Sequence, residues 1–122
     1  MLKHCIIVAI ALVAFVARAS ADDNLTVQNL YSYCQAPEAS TERAICIGYI
    51  AGVGNVMQMA GALEQVHHDV PYLAVAICGD ITTAAMVQAF KNWAKKNPAK
   101  WTKHQMLGVT EALFETWHCP FE

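Results

Sequence analysis

Few side chains in this sequence could do chemistry, and their spacing argues against catalysis. Five cysteines stand at Cys5, Cys34, Cys46, Cys78 and Cys119. No two of them form a Cys-x-x-Cys pair, the spacing that protein metal centres favour. A cysteine nucleophile needs a free thiolate beside a histidine, so the oxidation state of these cysteines decides that reading. His67-His68-Asp69 is the most metal-like cluster. Adjacent residues on a helix point about 100° apart, and no third histidine is near in sequence, so this segment reads as an exposed loop and no metal is expected. Met57, Met59, Met86 and Met106 could hold a soft copper ion. Thioethers also fill irregular gaps in a core, and that is the reading adopted for these four. Ser32 falls in a helical pattern and Ser40 looks like a helix cap, so neither reads as a nucleophile. The chain has no Gly-rich phosphate loop and no His-Glu-x-x-His motif. It is therefore read as a protein that is not an enzyme and carries no cofactor.

The amino terminus bears on the state of the cysteines. Met1, Lys3 and His4 form a short polar start, Cys5 to Val16 is continuously apolar, and Ala19-Ser20-Ala21 offers small residues for cleavage ahead of Asp22-Asp23-Asn24. This is the three-part pattern of a secretory signal peptide over residues 1–21. The apolar run is too short to span a bilayer, which takes roughly 20 residues, so no membrane anchor is expected. Cleavage removes Cys5 and leaves residues 22–122 as a single helical domain in the periplasm. Four cysteines in a short chain in an oxidising compartment read as two disulfides. A domain of this size has a small core and gains from such staples. The full chain has a net charge of −2. The leader takes Lys3 and Arg18 with it, so the mature protein is more acidic still and a poor candidate for nucleic-acid binding. Lys91, Lys95, Lys96, Lys100 and Lys103 cluster near one helix end, where cations meet the negative dipole pole. The same cluster could touch an anionic surface.

The elements that position these residues are helices. Val27, Leu30, Tyr31 and Cys34 recur at helical spacing after Thr26, and Gln35-Ala36-Pro37 breaks the pattern. Ser40 or Thr41 caps a second helix with Glu42 in its first turn. Ile45, Tyr49, Val53, Val56 and Leu63 lie at helical spacing along it. Asp80 or Thr82 opens a third, whose apolar side is Ala85, Val87, Phe90, Trp93 and Ala94 and which Asn97-Pro98 ends. Thr102 and Gln105 match a capping box for a fourth, continued by Leu107, Val109, Leu113 and Trp117. The expected fold is all-α, a small four-helix domain of two helical hairpins. Cys34 closes the first helix and Cys46 opens the second, while Cys78 precedes the third and Cys119 follows the fourth. Hairpins bring these ends together, so the predicted staples are Cys34–Cys46 and Cys78–Cys119. Gly48, Gly52 and Gly54 are unfavourable inside a helix by about 1 kcal/mol each relative to alanine. Gly48 and Gly52 share one face with Tyr49 beside them, which implies close approach of another helix, of this chain or of a second copy.

Cys46-Ile47-Gly48-Tyr49-Ile50-Ala51-Gly52-Val53 resembles the Cys-x-Gly-Tyr-Ile-x-Gly signature of the Rap/Tai family of type VI secretion amidase immunity proteins. The order of the other features is similar: Leu30 to Cys34, Cys78 ahead of the Gln88–Trp93 helix, Asn97-Pro98 behind it, and Ala112-Leu113 with Cys119 near the end. Two departures stand out. Cys78-Gly79-Asp80 replaces the family's Cys-x-Pro, and in His118-Cys119-Pro120 the proline follows the cysteine. The resemblance implies a periplasmic toxin-antitoxin role, in which the protein binds a cognate peptidoglycan amidase effector and occludes its active-site groove by protein–protein interaction. It also implies a homodimer. Exposure, charge and irregularity mark Glu64, His67, His68, Asp69 and Tyr72 as the expected contacts with the effector. A periplasmic acid-stress chaperone, using His67, His68, His104 and His118, or another envelope protein-binding module is the alternative.

Overall fold

The computed structural model describes residues 24–66 and 75–120. Helix α1 spans Val27–Cys34, α2 Thr41–Val66, α3 Thr83–Lys96 and α4 Gln105–Trp117, with a 3-10 turn, Pro98–Lys100, between α3 and α4. Among the described residues there is no named strand, only isolated antiparallel bridges from Thr26 to His104 and from Ile77 to His118. The all-α fold read from the sequence is the fold observed. The leader expected over residues 1–21 lies outside the described residues.

Local chemistry accounts for the helix starts. The Thr26 hydroxyl accepts from the Asn29 amide, Ser40 from Arg43 and Thr82 from Ala85, each at 3.1–3.2 Å. These contacts satisfy amide donors that a first turn otherwise leaves unpaired. The start of α4 differs from expectation. His104, not Thr102, is its N-cap, with Nδ1 accepting from Met106 N. Gln105 is thus the first helical residue and turns inward, where it is 8% exposed. The capping box cannot form because residues 101–103 are engaged elsewhere: Trp101 and Lys103 carbonyls accept from Gln28 and Val27 at the start of α1. At the other end of α1, Arg43 donates through Nη1 to the Cys34 carbonyl, a cation placed at a helix C-terminus.

The core lies where all four helices meet. Leu30, Ile50, Met86, Phe90, Val109 and Leu113 are among its fully buried members, and α3 and α4 pack most extensively on each other. Close approach is made possible by particular glycines. A Cβ at Gly108 would lie 2.6 Å from Val27 Cγ2 and 3.1 Å from Trp93, and one at Gly54 would overlap the Met86 side chain. The Trp101 indole N–H donates to the Ala94 carbonyl at 2.8 Å, and the Asn97 side chain donates to the Trp93 carbonyl at 2.8 Å. Together they seal the α3 exit. Lys100 pairs with Glu111 and sits 5.5 Å from the Trp93 ring centroid. This pair is partly exposed and contributes little to stability.

Both predicted disulfides are present. Cys34–Cys46 joins α1 to α2 with S–S 2.04 Å, and Cys78–Cys119 joins the segment before α3 to the end of α4 with S–S 2.08 Å.

Candidate functional site

The chain's candidate contacts with a partner lie at the end of α2 and along its outer face. Glu64 falls in the last turn of α2. Its side chain, and residues His67, His68, Asp69 and Tyr72, lie outside the described residues. What is described is the base on either side of them. Ile77 N donates to the Met57 carbonyl, Cys78 N to Trp117 O and Cys119 N to Ala76 O. Gln58 Nε2 reaches Gly79 O at 3.1 Å, and Gly79 takes φ +119°, a turn conformation suited to glycine. A Cβ at Gly61 would press into the Ile77 backbone, 3.0 Å from its carbonyl carbon, and stand 3.1 Å from Cys119 Sγ. The last turns of α2, residues 75–79 and the chain end thus form one clasp, locked by Cys78–Cys119.

Gly48 and Gly52 do not meet another helix of this chain. Both are exposed, and a Cβ at either would meet nothing within 4 Å. The close approaches within α2 are made by Gly54 and Gly61. The helix is also rotated from the face its spacing suggested. Cys46, Ile50, Met57 and Ala60 face the core, whereas Ile45, Val56, Met59 and Leu63 are 41–59% exposed. Met59 and Met106 are therefore surface residues, and of the four methionines only Met57 and Met86 fill the core.

Ile45, Gly48, Gly52, Val56, Met59 and Leu63 recur at steps of three and four, so they form one stripe along the outside of α2. No charged residue interrupts α2 from Ala44 to Leu63. The stretch Thr41–Leu63 is long and apolar enough to cross a membrane by length and composition, with a mean hydropathy of 1.3. Here one side of it builds the core of the domain, and Cys46 on that side is bonded to Cys34. Tyr49 lies at the margin of the stripe. Burial lifts its phenol above the usual tyrosine range, and a Gln105 side-chain hydrogen bond opposes that shift.

Among the described residues no three histidine, cysteine or acidic side chains converge as metal ligands. His104 caps α4, and His118 Nδ1 lies 3.3 Å from Phe114 O. Lys95, Lys96 and Lys103 are exposed, while Lys100 is held by Glu111.

Fold and surface together describe a small, doubly stapled helical domain with an exposed apolar stripe along α2. The model of the Rap1a immunity proteins matches residues 26–119, and the chain belongs to that family. No curated protein and no solved structure matches it.

Proposed function

We propose that this chain is a periplasmic immunity protein of type VI secretion that binds a peptidoglycan amidase effector and occludes its active-site groove without chemistry of its own. The family match supports immunity, and the two disulfides suit an oxidising compartment. The observation that carries the binding mode is the clasp. It ties together the residues that flank 67–74 on either side, and Glu64, His67, His68, Asp69 and Tyr72 are the proposed contacts between those flanks. Flanks anchored before binding leave less conformational freedom to lose on association, which favours tight inhibition. Replacing residues 64–72 by a Gly/Ser linker is expected to abolish protection of peptidoglycan cross-links in a cleavage assay with the cognate amidase. Full protection by that variant would remove the segment from the interface.

The outer face of α2 is assigned to a second copy of the chain, in keeping with the homodimer that the resemblance implies. A helix apolar all round is normally buried on every side, and here only the core side is covered. The stripe suits self-pairing. Ile45 and Val56 rise on either side of the Gly48–Gly52 notch, so a two-fold axis at that notch sets ridge beside groove in both copies, with no charge brought together. Gly52→Arg is expected to convert the dimer to monomer in sedimentation experiments. Its far-UV circular dichroism should be unchanged, since a side chain at Gly52 meets nothing within its own chain. A wild-type protein that sediments as a monomer, or a variant that remains dimeric, would overturn the assignment.

A further inference from the structure

A second surface lies on the α3–α4 side of the domain, away from the α2 stripe and meeting the clasp only at Trp117, whose carbonyl accepts from Cys78 N. A groove of about 420 Å³ runs between α3 and α4, within the range of small-ligand sites, about 300–1,000 Å³. Its floor is made of small residues, Ala85, Ala89 and Ala112, and of the half-buried Trp117. Its α3 rim carries Gln88, Asn92 and Lys96, and its α4 rim Glu115 and Thr116, all of them exposed.

The rim chemistry selects a ligand class. Gln88 Nε2 donates to Asn92 Oδ1 at 2.9 Å. That bond leaves the Gln88 Oε1 as an acceptor and the Asn92 Nδ2 as a donor. The Thr116 hydroxyl donates to Ala112 O at 2.8 Å and keeps its acceptor capacity. Asn97 donates to Trp93 O, which frees its Oδ1 as another acceptor. The groove carries one cation, Lys96, and one anion, Glu115, so neither a strongly acidic nor a strongly basic ligand is matched. Alternating donors and acceptors suit hydroxyl groups, each of which can donate and accept. Trp117 is half-buried and lines the groove; an indole suits the C–H face of a pyranose, and the alanine floor leaves room for a methyl group. We infer that the α3–α4 groove binds a neutral N-acetylated oligosaccharide, the chemistry of a cell-wall glycan strand.

The test uses chitotetraose added to the mature, oxidised protein and followed by two-dimensional ¹H–¹⁵N NMR. Saturable shifts are expected at the Trp117 indole N–H and at the side-chain amides of Gln88 and Asn92. Asn92→Ala should weaken binding about tenfold, as loss of one or two hydrogen bonds would. Its thermal unfolding should be unchanged, because Asn92 is exposed. Glu115→Ala is a second variant at an exposed position with the same expectation. Absence of a saturable shift, or shifts confined to residues outside the groove, would overturn the inference. So would saturation by a short peptide that chitotetraose cannot displace. None of these readouts involves the effector, so they stand apart from the immunity reading.

Discussion

Replacing Cys78 and Cys119 together by serine is expected to lower the free energy of unfolding by about 4 kcal/mol. The staple closes a loop with a sequence separation of 41, and in the chain-entropy model a loop of that length contributes about that amount. Cys34–Cys46, with a separation of 12, contributes about 3 kcal/mol on the same basis. A domain of this size has a total stability of roughly 5–15 kcal/mol, so the loss is a large fraction of the whole. The damage should also be local. Cys119 and Ile77 are buried against the end of α2, and the backbone bonds from Cys78 to Trp117 and from Cys119 to Ala76 lie beside the disulfide. Urea unfolding of the double serine variant, with the midpoint and slope compared with those of the oxidised wild type, provides the measurement. Amide exchange should rise first at Ile77, Cys78 and Cys119. A midpoint within error of the wild type would show that the clasp is held by packing alone.

Gly61→Val is expected to destabilise the protein by about 3 kcal/mol, the upper end of the usual penalty for overpacking a core. The reason is the nature of the neighbours. A Cβ at Gly61 presses on the Ile77 backbone carbonyl and lies 3.1 Å from Cys119 Sγ. Neither can swing aside, because Ile77 is tied to Met57 and its neighbour Cys78 is bonded to Cys119. Gly54 makes a useful contrast. Its obstacles are the side chains of Met86 and Leu113, and methionine adapts, so alanine at Gly54 should cost less than alanine at Gly61. Combined with the serine pair at Cys78 and Cys119, the Gly61→Val penalty should shrink, because the clasp it strains has already been released. Full additivity in thermal unfolding would argue that Gly61 and the disulfide act independently. The expected effect on function follows the same line, since the clasp flanks the proposed effector contacts.

Much of the fold was legible in the sequence, for identifiable reasons. Thr26, Ser40 and Thr82 cap their helices through bonds that depend on neighbouring residues alone, and Asn97-Pro98 stops α3 because proline constrains the residue before it. The disulfide pairing followed from helix ends. In a hairpin the ends that meet are set by chain order, and Cys34, Cys46, Cys78 and Cys119 all sit at such ends. The start of α4 was misread because Thr102 and Gln105 fit a local pattern that the long-range bonds from Val27 and Gln28 to residues 101–103 override.

The face of α2 was not legible. Periodicity reveals a buried side only where polar residues mark the other, and from Ala44 to Leu63 polar residues are too few for that. Ile45, Val56 and Leu63 were as plausible a core as Cys46, Ile50 and Met57. The role of each glycine was hidden for the same reason: Gly48 and Gly52 look like Gly54 and Gly61 in sequence, yet only the second pair has neighbours. The sequence by itself determined the class of fold, the helix count and the two staples, because those rest on helical periodicity, backbone restriction and chain order. Only the tertiary structure decided which side of α2 is core, which glycines are indispensable and where an apolar stripe is left uncovered, because these depend on atoms brought together from distant parts of the chain.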